Sequence, residues 1–478
     1  MSQHPYLFIQ QTGTKTAVSL VRPNGDVLGT VTAASQVTSR RNGWLELDAL
    51  EIVHLIQMGI AKVVTEAGVP ASDIAGIGVV TDASTCIWNR ESGVPYSGAI
   101  TLTQAPLSAT PKVIIHKRLH QTIYDATGLH PAPCYLPYHL QWLARHHSYL
   151  RADLETGACC VGTMGCWILY NLTGRQRFYT DPSHATKTLL FNRETQEWDR
   201  FLLDTFDVPL QALPDVKASN LGMSTSFFPL PDGIPILLMR TSEQARLAGS
   251  VTQPFGDGYV YWGEQGYVMV NVGESDPQDL HPFLQTPLYQ HRPQRRAVVG
   301  YFHLPDLQNI ISITPLDMQN LAFRMRSSLP FIVPGADLWN FPYQKKPANV
   351  GIFGLESTTQ PRDLVSGHFA SGVFQLQEFL TELQKGLGSR LRQIHLIGPF
   401  SKLPMLVQFI ADITQLPVEL MARDSLFEGM LRLIQKESPS DATPTTPPLL
   451  KTVLPILDPS SSQALFDQWL NYRALLKA

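Results

Sequence analysis

Residues 6–29, YLFIQQTGTKTAVSLVRPNGDVLG, decide the fold, because they are typical of a β-hairpin. An apolar strand at residues 7–9 meets a tight turn at 12–14, and a second apolar strand at 17–21 leads to a turn at 24–25. Glycine in a turn between two apolar runs favours paired antiparallel strands. The turn at 12–14 also looks like a phosphate-holding loop from which the charged residue is missing.

The segments after the hairpin predict an α/β fold. Asp48 is the expected N-cap of a helix whose apolar residues recur at helical spacing until Gly68. Residues 74–82 then predict a buried strand, and residues 85–96 predict a strand and a turn. A hairpin, a helix and further strands in this order indicate an α/β architecture.

A similar order recurs in the second half of the chain. Residues 258–273 predict two strands around a Gly-Glu-Gln-Gly turn, 363–387 a long helix, and 394–400 a strand that leads into a turn. Two such modules predict a duplicated architecture with a cleft between its halves. Clefts between domains are the usual place for a ligand.

The length of 478 residues is too great for one compact core. We divide the chain into an N-terminal domain (1–247), a C-terminal domain (248–436) and a final part (437–478). The final part begins with a Pro-, Ser- and Thr-rich linker at 437–448 and ends in an amphipathic helix. The expected apolar stripe of this helix consists of Leu465, Phe466, Trp469, Leu470 and Leu475. We expect the helix to pack on the protein body; the alternative is that it binds a partner.

Composition argues against several classes of function. Only 16% of residues are charged and the net charge is −3, which disfavours binding to nucleic acid or to an anionic membrane. The sequence has no secretory leader and no run of 18 apolar residues, so we expect a cytoplasmic protein without a membrane partner. Five cysteines without C-x-x-C spacing favour reduced thiols over disulfides.

Several segments, in a shared order along nearly the whole chain, resemble the FGGY family of carbohydrate kinases, and within it the glycerol kinases most closely. They include the opening hairpin, GWLELD (43–48), GIGVVTDASTCIWNRESGVP (76–95), TGLHPAPCYLPYHLQWL (127–143), DPSHATKTLLFNRETQEWD (181–199) and VGIFGLESTTQPRDLVSGHFAS (350–371). The resemblance implies two actin-like (ribonuclease H-like) domains that close on ATP and a sugar or polyol. It also implies transfer of the γ-phosphoryl group to a hydroxyl.

The catalytic position departs from the family pattern. The resemblance places Ser242 where the family has the aspartate that takes the proton from the attacking hydroxyl. A neutral serine is not an effective base near neutral pH, and loss of a general base lowers the rate by roughly 10² to 10⁴. Glu243 is the next residue, and it could replace the aspartate only if the loop has shifted.

The phosphate and metal positions of the first domain depart as well. Gln10 matches the family aspartate that holds magnesium, and an amide brings no negative charge to a hard cation. Thr12, Gly13, Thr14 and Lys15 still offer hydroxyls, a flexible backbone and a cation to an anion, although such a turn is more often a plain hairpin turn. No residue is assigned as a metal ligand from the sequence.

The substrate positions carry small side chains. Ala83 and Ser84 match an Arg-Glu pair that grips the polyol in the family, and Cys134 matches a tyrosine that flanks it. A site that reads hydroxyl groups loses affinity when its polar groups vanish. Asp82 could supply a substitute carboxylate, or it could simply cap a turn. Tyr267 completes the substrate-binding candidates.

The nucleotide positions of the second domain are Gly263, Glu264, Gln265 and Gly398. The first three match a Gly-Thr-Gly phosphate turn, and a carboxylate at position 264 would repel phosphate unless the turn points to water. Gly398 is the glycine that remains of an Asp-Gly-Gly turn near the adenosine.

These departures predict a catalytically impaired member of the family with a binding, regulatory or assembly role and no required cofactor. The first alternative is an active kinase that uses ATP and Mg²⁺ on an unusual sugar or polyol, with Glu243 or Asp82 as base. The second is a structural subunit that binds no small molecule. We expect a sugar or polyol ligand, and a homo-oligomer or a protein partner.

Overall fold

The computed structural model describes residues 4–39, 45–101, 117–217, 222–249, 255–263, 266–273, 283–287, 296–302, 329–334, 350–387, 391–437 and 448–477. The chain forms two compact units. The first unit comprises Met1–Val251, Pro287–Pro293 and Ser425–Thr446, and the second comprises Thr252–Thr286, Gln294–Asp424 and Pro447–Ala478.

The first unit contains strands and helices that alternate along the chain. They are β1 (Tyr6–Thr12), β2 (Lys15–Val21), β3 (Val27–Ala34), β4 (Val37–Ser39), β5 (Glu46–Leu47), α1 (Ala49–Ala67), β6 (Gly76–Thr81), β7 (Thr85–Asn89), β8 (Ala99–Ile100), α2 (Lys117–Thr127), α3 (Leu136–His146), α4 (Leu150–Thr156), β9 (Cys159–Thr163), α5 (Met164–Leu172), β10 (Tyr179–Thr180), α6 (Pro182–Ala185), β11 (Phe191–Asn192), β12 (Glu197–Trp198), α7 (Arg200–Phe206), β13 (Asp215–Val216), β14 (Met223–Ser224), β15 (Pro235–Thr241) and α8 (Ser242–Gly249). Among the described residues of this unit, 3₁₀ turns lie at Ala71–Asp73 and Leu210–Ala212.

The later segments are β16 (Gly258–Tyr261), β17 (Gly266–Gly273), β18 (Leu284–Pro287), β19 (Arg296–Phe302), β20 (Phe331–Pro334), β21 (Val350–Phe353), α9 (Pro361–Leu387), β22 (Ile394–Ile397), α10 (Pro404–Thr414), β23 (Val418–Met421), α11 (Leu426–Glu437), β24 (Leu449–Val453) and α12 (Pro459–Lys477). A 3₁₀ turn at Pro399–Lys402 follows β22. Of the helices in this group, α11 belongs to the first unit.

The main sheet of the first unit has the strand order β14-β15-β6-β1-β2-β3 within the described residues. Strands β15, β6 and β1 run parallel to one another, while β2 and β3 are antiparallel additions. Side chains alternate between the two faces of the sheet. Leu7 and Ile9 therefore join a core under α1 and α5, whereas Phe8 joins a core under α8 and α11.

The opening hairpin is confirmed, with Thr12 paired to Lys15 across the turn. Helix α1 begins after the N-cap Asp48 and ends at Gly68 in the left-handed conformation (φ 63°), as the sequence predicts. A second sheet of the unit has the order β4-β5-β8-β7-β9.

Helix α11 packs against α8 of the first unit. A side chain at Gly429 would collide with the carbonyl oxygen of Ala245, and one at Gly249 with the carbonyl oxygen of Ser425. The backbones of the two helices are thus in close contact. The sequence-based division had grouped residues 426–436 with the C-terminal domain.

The second unit is built on a sheet with the order β18-β19-β17-β16-β22-β23-β24 within the described residues. Strands β16, β22 and β23 are parallel, and helix α9 packs on this sheet and on β20. The expected hairpin of β16 and β17, the long helix α9 and the strand β22 are all confirmed.

Helix α12 packs on the core of the second unit, as expected. Phe466 and Trp469 are buried, and Leu465 and Leu470 are partly buried against the same core. Leu475, which the sequence assigned to the apolar stripe, is 65% exposed, so that assignment was wrong. Residues 438–447 of the expected linker lie outside the described residues.

None of the helices in the described part of the chain combines the length and apolarity needed to cross a membrane.

Candidate active site

The carboxyl ends of three parallel strands carry a row of buried polar residues. Gln11 of β1 is paired in register with Thr81 of β6, and Thr81 is paired with Thr241 of β15. All three are at most 2% exposed. In α/β sheets, ligands bind outside the carboxyl ends of such strands. A binding site is therefore expected among the residues that follow these three strand ends.

Asp82 follows β6 and joins two other elements of the first unit. Its Oδ2 accepts a hydrogen bond from the backbone N–H of Gly13 (2.8 Å), and its Oδ1 accepts one from Ser242 Oγ (2.9 Å). Gly13 lies in the β1–β2 turn with φ 53°, a conformation that glycine adopts at little cost. Ser242 is the first residue of α8. Three of the candidates named from the sequence thus meet at one carboxylate.

Burial raises the pKa of the Asp82 carboxyl, while the hydrogen bonds from Gly13 and Ser242 act to lower it. The negative charge of Glu243 raises it further, and the positive charge of Arg246 lowers it. The net direction is upward. Asp82 therefore gives up its proton less readily than an exposed aspartate does.

Glu243 is engaged in an ion pair. Its Oε2 lies 2.7 Å from Lys187 Nζ, and the two side chains are only 14% and 10% exposed. The Glu243 carboxylate is therefore held by a cation in a largely desolvated place. Sequence reasoning missed Lys187.

A buried network fixes the backbone just before Ser242. Arg240 Nη1 lies 2.9 Å from Asp181 Oδ2, and both side chains are at most 6% exposed. Ser183 Oγ donates to Asp181 Oδ1 (3.1 Å) and accepts from the backbone N–H of Thr241 (2.9 Å). The network ties the start of α6 to the end of β15. The sequence signal for this network is Arg240, a charged residue in a mostly apolar strand.

Two buried polar atoms at this edge of the sheet have no hydrogen-bond partner in the described part of the structure. They are Gln11 Oε1 and Thr241 Oγ1. The other amide atom of Gln11, Nε2, donates to the carbonyl oxygen of Gly13 (3.0 Å). Because buried polar groups are normally paired, these two atoms mark a place where a ligand or water could bind.

The remaining phosphate-turn candidates lie around Gly13. Gln10 is partly buried in β1, between Ala17 of β2 and Val80 of β6. Thr12 ends β1, and the carbonyl oxygen of Thr14 accepts from the backbone N–H of Ser35 (2.6 Å). Lys15 is exposed at the start of β2.

The substrate candidates other than Asp82 are buried. Ala83 and Ser84 are 6% and 3% exposed, and the carbonyl oxygen of Ser84 accepts from the backbone N–H of Met164. Cys134 is 1% exposed, and burial raises the pKa of its thiol. Their assignment as substrate-binding residues stays a prediction.

In the second unit, the described candidates are Gly263, Gly398 and Tyr267, while Glu264 and Gln265 lie outside the described residues. Gly398 has φ 106°, and a Cβ there would lie 2.5 Å from the carbonyl oxygen of Trp262. Only glycine suits that position. Tyr267 is 7% exposed and stacks on Tyr261.

The sequence matches two family models. The model for the N-terminal domain of the FGGY family of carbohydrate kinases matches residues 5–225, and the model for the C-terminal domain of that family matches residues 315–426. Together they span most of the chain.

Solved structures resemble this chain over almost its whole length. A glycerol kinase of Plasmodium falciparum with ADP is 20% identical, with 99% of this chain and 98% of that chain covered and a TM-score of 0.81. A ligand-bound xylulose kinase of Lactobacillus acidophilus is 18% identical with the same coverage and a TM-score of 0.79. A gluconate kinase of the same organism is 18% identical, with 99% of both chains covered and a TM-score of 0.77. These likenesses show an α/β fold of two actin-like domains, as the sequence predicts.

Proposed function

Because the chain belongs to the FGGY family of carbohydrate kinases, we propose that it is a catalytically impaired member with a binding, regulatory or assembly role. The observation that carries the proposal is the engagement of both carboxylates near Ser242. Asp82 is held by Gly13 and Ser242, and Glu243 is held by Lys187.

Phosphoryl transfer to an alcohol depends on a base that is within reach of the hydroxyl proton. Ser242 stands at the position of the family base and is neutral. Glu243 is already engaged by the Lys187 ammonium, 2.7 Å away. A neutral serine and a carboxylate held in an ion pair are both poor candidates for this base.

The donor set also fits a protein-held magnesium ion poorly. At the family's metal position Gln10 offers a neutral amide, whereas Mg²⁺ prefers carboxylate oxygens. Among the described residues, no cluster of three or more His, Cys, Asp or Glu side chains could hold a metal ion. The Gly13 N–H, which could bind a phosphate oxygen, already donates to Asp82.

The expected ligand is a sugar or polyol, as for the family, bound without rapid phosphorylation. The five cysteines are free and buried, which suits a reducing compartment, and a cytoplasmic location is part of the proposal. A homo-oligomer or a protein partner would give the assembly role its physical basis.

ATP turnover over a panel of sugars and polyols tests the proposal. We expect wild-type turnover to be roughly 10² to 10⁴ below that of a variant that regains the base. The exchange variant Asp82→Asn/Ser242→Asp moves the carboxylate to the family position, and Ser242→Ala is the matched control that adds no base. Brisk turnover by the wild-type protein would contradict the proposal.

A second candidate function is an active kinase with Asp82 as its base. The contact of Ser242 Oγ with Asp82 Oδ1 favours it, because it places a carboxylate 2.9 Å from the family's catalytic position. The raised pKa of Asp82 also makes it a better proton acceptor than an ordinary aspartate. This function predicts turnover that Asp82→Asn abolishes and Glu243→Gln preserves.

A further inference from the structure

Two donors from distant parts of the sequence converge on the Asp82 carboxylate. Gly13 is 69 residues away in the chain, and Ser242 is 160 residues away. Each oxygen of the carboxylate receives one of the two hydrogen bonds. The corner formed by the β1–β2 turn and the start of α8 therefore holds a carboxyl group, and that group belongs to the protein itself.

Burial and Glu243 raise the pKa of Asp82 overall, but three features of this corner favour negative charge. Ser242 begins an eight-residue helix, and the N-terminus of a helix carries partial positive charge. The N–H of Gly13 projects from a turn with φ 53°, a backbone form that contributes to anion-binding concavities. Arg246, in the same helix as Ser242, lowers the pKa of Asp82, so its positive charge is felt at the carboxylate.

Unused polar atoms lie next to the same corner. Gln11, whose amide contacts the carbonyl oxygen of Gly13, leaves its buried Oε1 unpaired within the described structure. Thr241, which precedes Ser242, leaves its buried Oγ1 unpaired there as well. Asp82 therefore does not fill all the hydrogen-bonding positions of the corner, since these two atoms are left over. A phosphate group could form hydrogen bonds with these atoms, because its oxygens accept hydrogen bonds and its protonated form also donates them.

We infer that Asp82 is a tethered anion that occupies a phosphate-binding corner and competes there with phosphate-bearing ligands. The inference rests on the proposed function, since it takes the turn at Gly13 to be the phosphate turn of a kinase-like site. A phosphate oxygen and the Asp82 carboxylate need the same two donors. Two anions in one poorly hydrated corner also repel each other strongly. Asp82 thereby keeps the affinity for phosphate low.

Binding of inorganic phosphate and of ADP, both without metal, tests the competition by calorimetry. Asp82→Asn keeps the shape of the side chain and removes its charge, while Asp82→Ala removes the competing group. We expect both variants to bind phosphate and ADP at least about tenfold more tightly than the wild type, because a like charge has been removed. Asp204→Asn is the matched control, since Asp204 is exposed on α7 and its loss changes the net charge equally.

A third variant tests whether the gained affinity arises at this corner. Adding Ser242→Ala to Asp82→Asn removes one of the two donors, and we expect it to cancel most of the gain. Equal affinity of the wild type and both Asp82 variants, each with a cooperative thermal transition, overturns the inference. A gain that survives the loss of Ser242 overturns it too.

Turnover measured in parallel separates this inference from the proposed function. If phosphate affinity does not rise in the Asp82 variants and the wild type does not turn over ATP, Asp82 does not compete with phosphate, but the proposal of an impaired kinase is retained. If the affinity rises in these variants and the wild type does turn over ATP, Asp82 competes with phosphate and the proposal of an impaired kinase is wrong. Wild-type turnover that disappears in Asp82→Asn without any gain in affinity overturns both and makes Asp82 the base.

Discussion

At the scale of single residues, the site depends on which partner each charged side chain meets. Asp82 meets two uncharged donors, whereas Glu243 and Asp181 each meet a cation. All three are close to the end of β15, yet their chemistry differs. Among the described residues, neither of the two hydrogen-bond donors to the Asp82 carboxylate is a cation. Asp82 is thus held by hydrogen bonds from neutral groups, whereas the other two carboxylates are held in ion pairs.

The buried pair of Arg240 and Asp181 yields a stability prediction. Arg240→Met leaves Asp181 with a buried charge and no cation, so we expect a loss of about 3–5 kcal/mol in the free energy of unfolding. Urea denaturation at pH 7 measures it. Lys62→Met is the control, because Lys62 and Glu66 form an exposed pair (62% and 59%) that should contribute less than about 1 kcal/mol. Equal losses in both variants would contradict the prediction.

Buried histidines make the first unit sensitive to acid. Burial lowers the pKa of His139 from 6.5 to about 3, and it lowers the pKa of His184 as well. Below pH 6.5 these two histidines bind protons in the unfolded chain but stay neutral in the folded chain until the pH approaches their lowered pKa values. The stability that neutral His139 contributes is therefore complete above pH 6.5 and falls toward about pH 3, by about 1.4 kcal/mol per pH unit, and His184 acts in the same direction. The raised pKa of Asp82 acts in the opposite direction.

Urea denaturation between pH 7 and pH 4.5 measures this slope. His139→Gln, which can still bond to Thr85 Oγ1, should unfold with a shallower pH dependence than the wild type. His54→Gln, an exposed substitution on α1, serves as the control and should leave the slope as it is. Parallel slopes for the wild type and His139→Gln would disprove the assignment.

At the scale of elements, local sequence signals decide where helices begin and end. Asp48 accepts hydrogen bonds from the backbone N–H groups of Leu50 (2.9 Å) and Glu51 (3.0 Å), and Gly68 adopts the left-handed conformation that ends α1. Both were predicted, since capping involves only neighbouring residues. The row of Gln11, Thr81 and Thr241 could not be predicted in the same way. It depends on the register of three strands that are far apart in the chain.

The cap of α1 can be tested directly. Asp48→Ala removes the acceptor for two backbone N–H groups, so we expect a loss of about 1 kcal/mol in the free energy of unfolding. Glu66→Ala, an exposed substitution in the last turn of the same helix, should change stability by less than about 0.5 kcal/mol. Chemical denaturation of the two variants side by side gives the difference. No difference between them would mean that the cap does not stabilise α1.

At the scale of the whole molecule, each compact unit has its own sheet and core, although the units are not continuous in sequence. The first unit includes residues 425–446, which follow most of the second unit in the chain. A domain division that follows the order of the chain cannot detect that residues 425–446 pack in the first unit. This packing arises because the apolar face of α11 is buried against α8 and the sheet under it.

The second unit depends on its C-terminal helix. Trp469 is fully buried and stacks on Phe374 with ring centroids 5.3 Å apart. Trp469→Ala should reduce the stability of this unit by about 3–5 kcal/mol, because it leaves a large cavity. Hydrogen exchange of the amides of α9 and α10 measures the loss. Leu475→Ala, at an exposed position of the same helix, should leave the exchange unchanged.

The sequence by itself determined the secondary structure around the site and the α/β class, because strand alternation, helix periodicity and capping act over a few residues. The family was predicted from the resemblance of several segments to FGGY kinases, and the family models confirm it. It also identified Gly13, Asp82, Ser242 and Glu243 as candidates. Only the tertiary structure decided their partners: Asp82 with Gly13 and Ser242, and Glu243 with Lys187. The physical reason is that hydrogen bonds and ion pairs depend on distances of a few ångströms. Those distances are set by the packing of strands and helices that lie up to 160 residues apart.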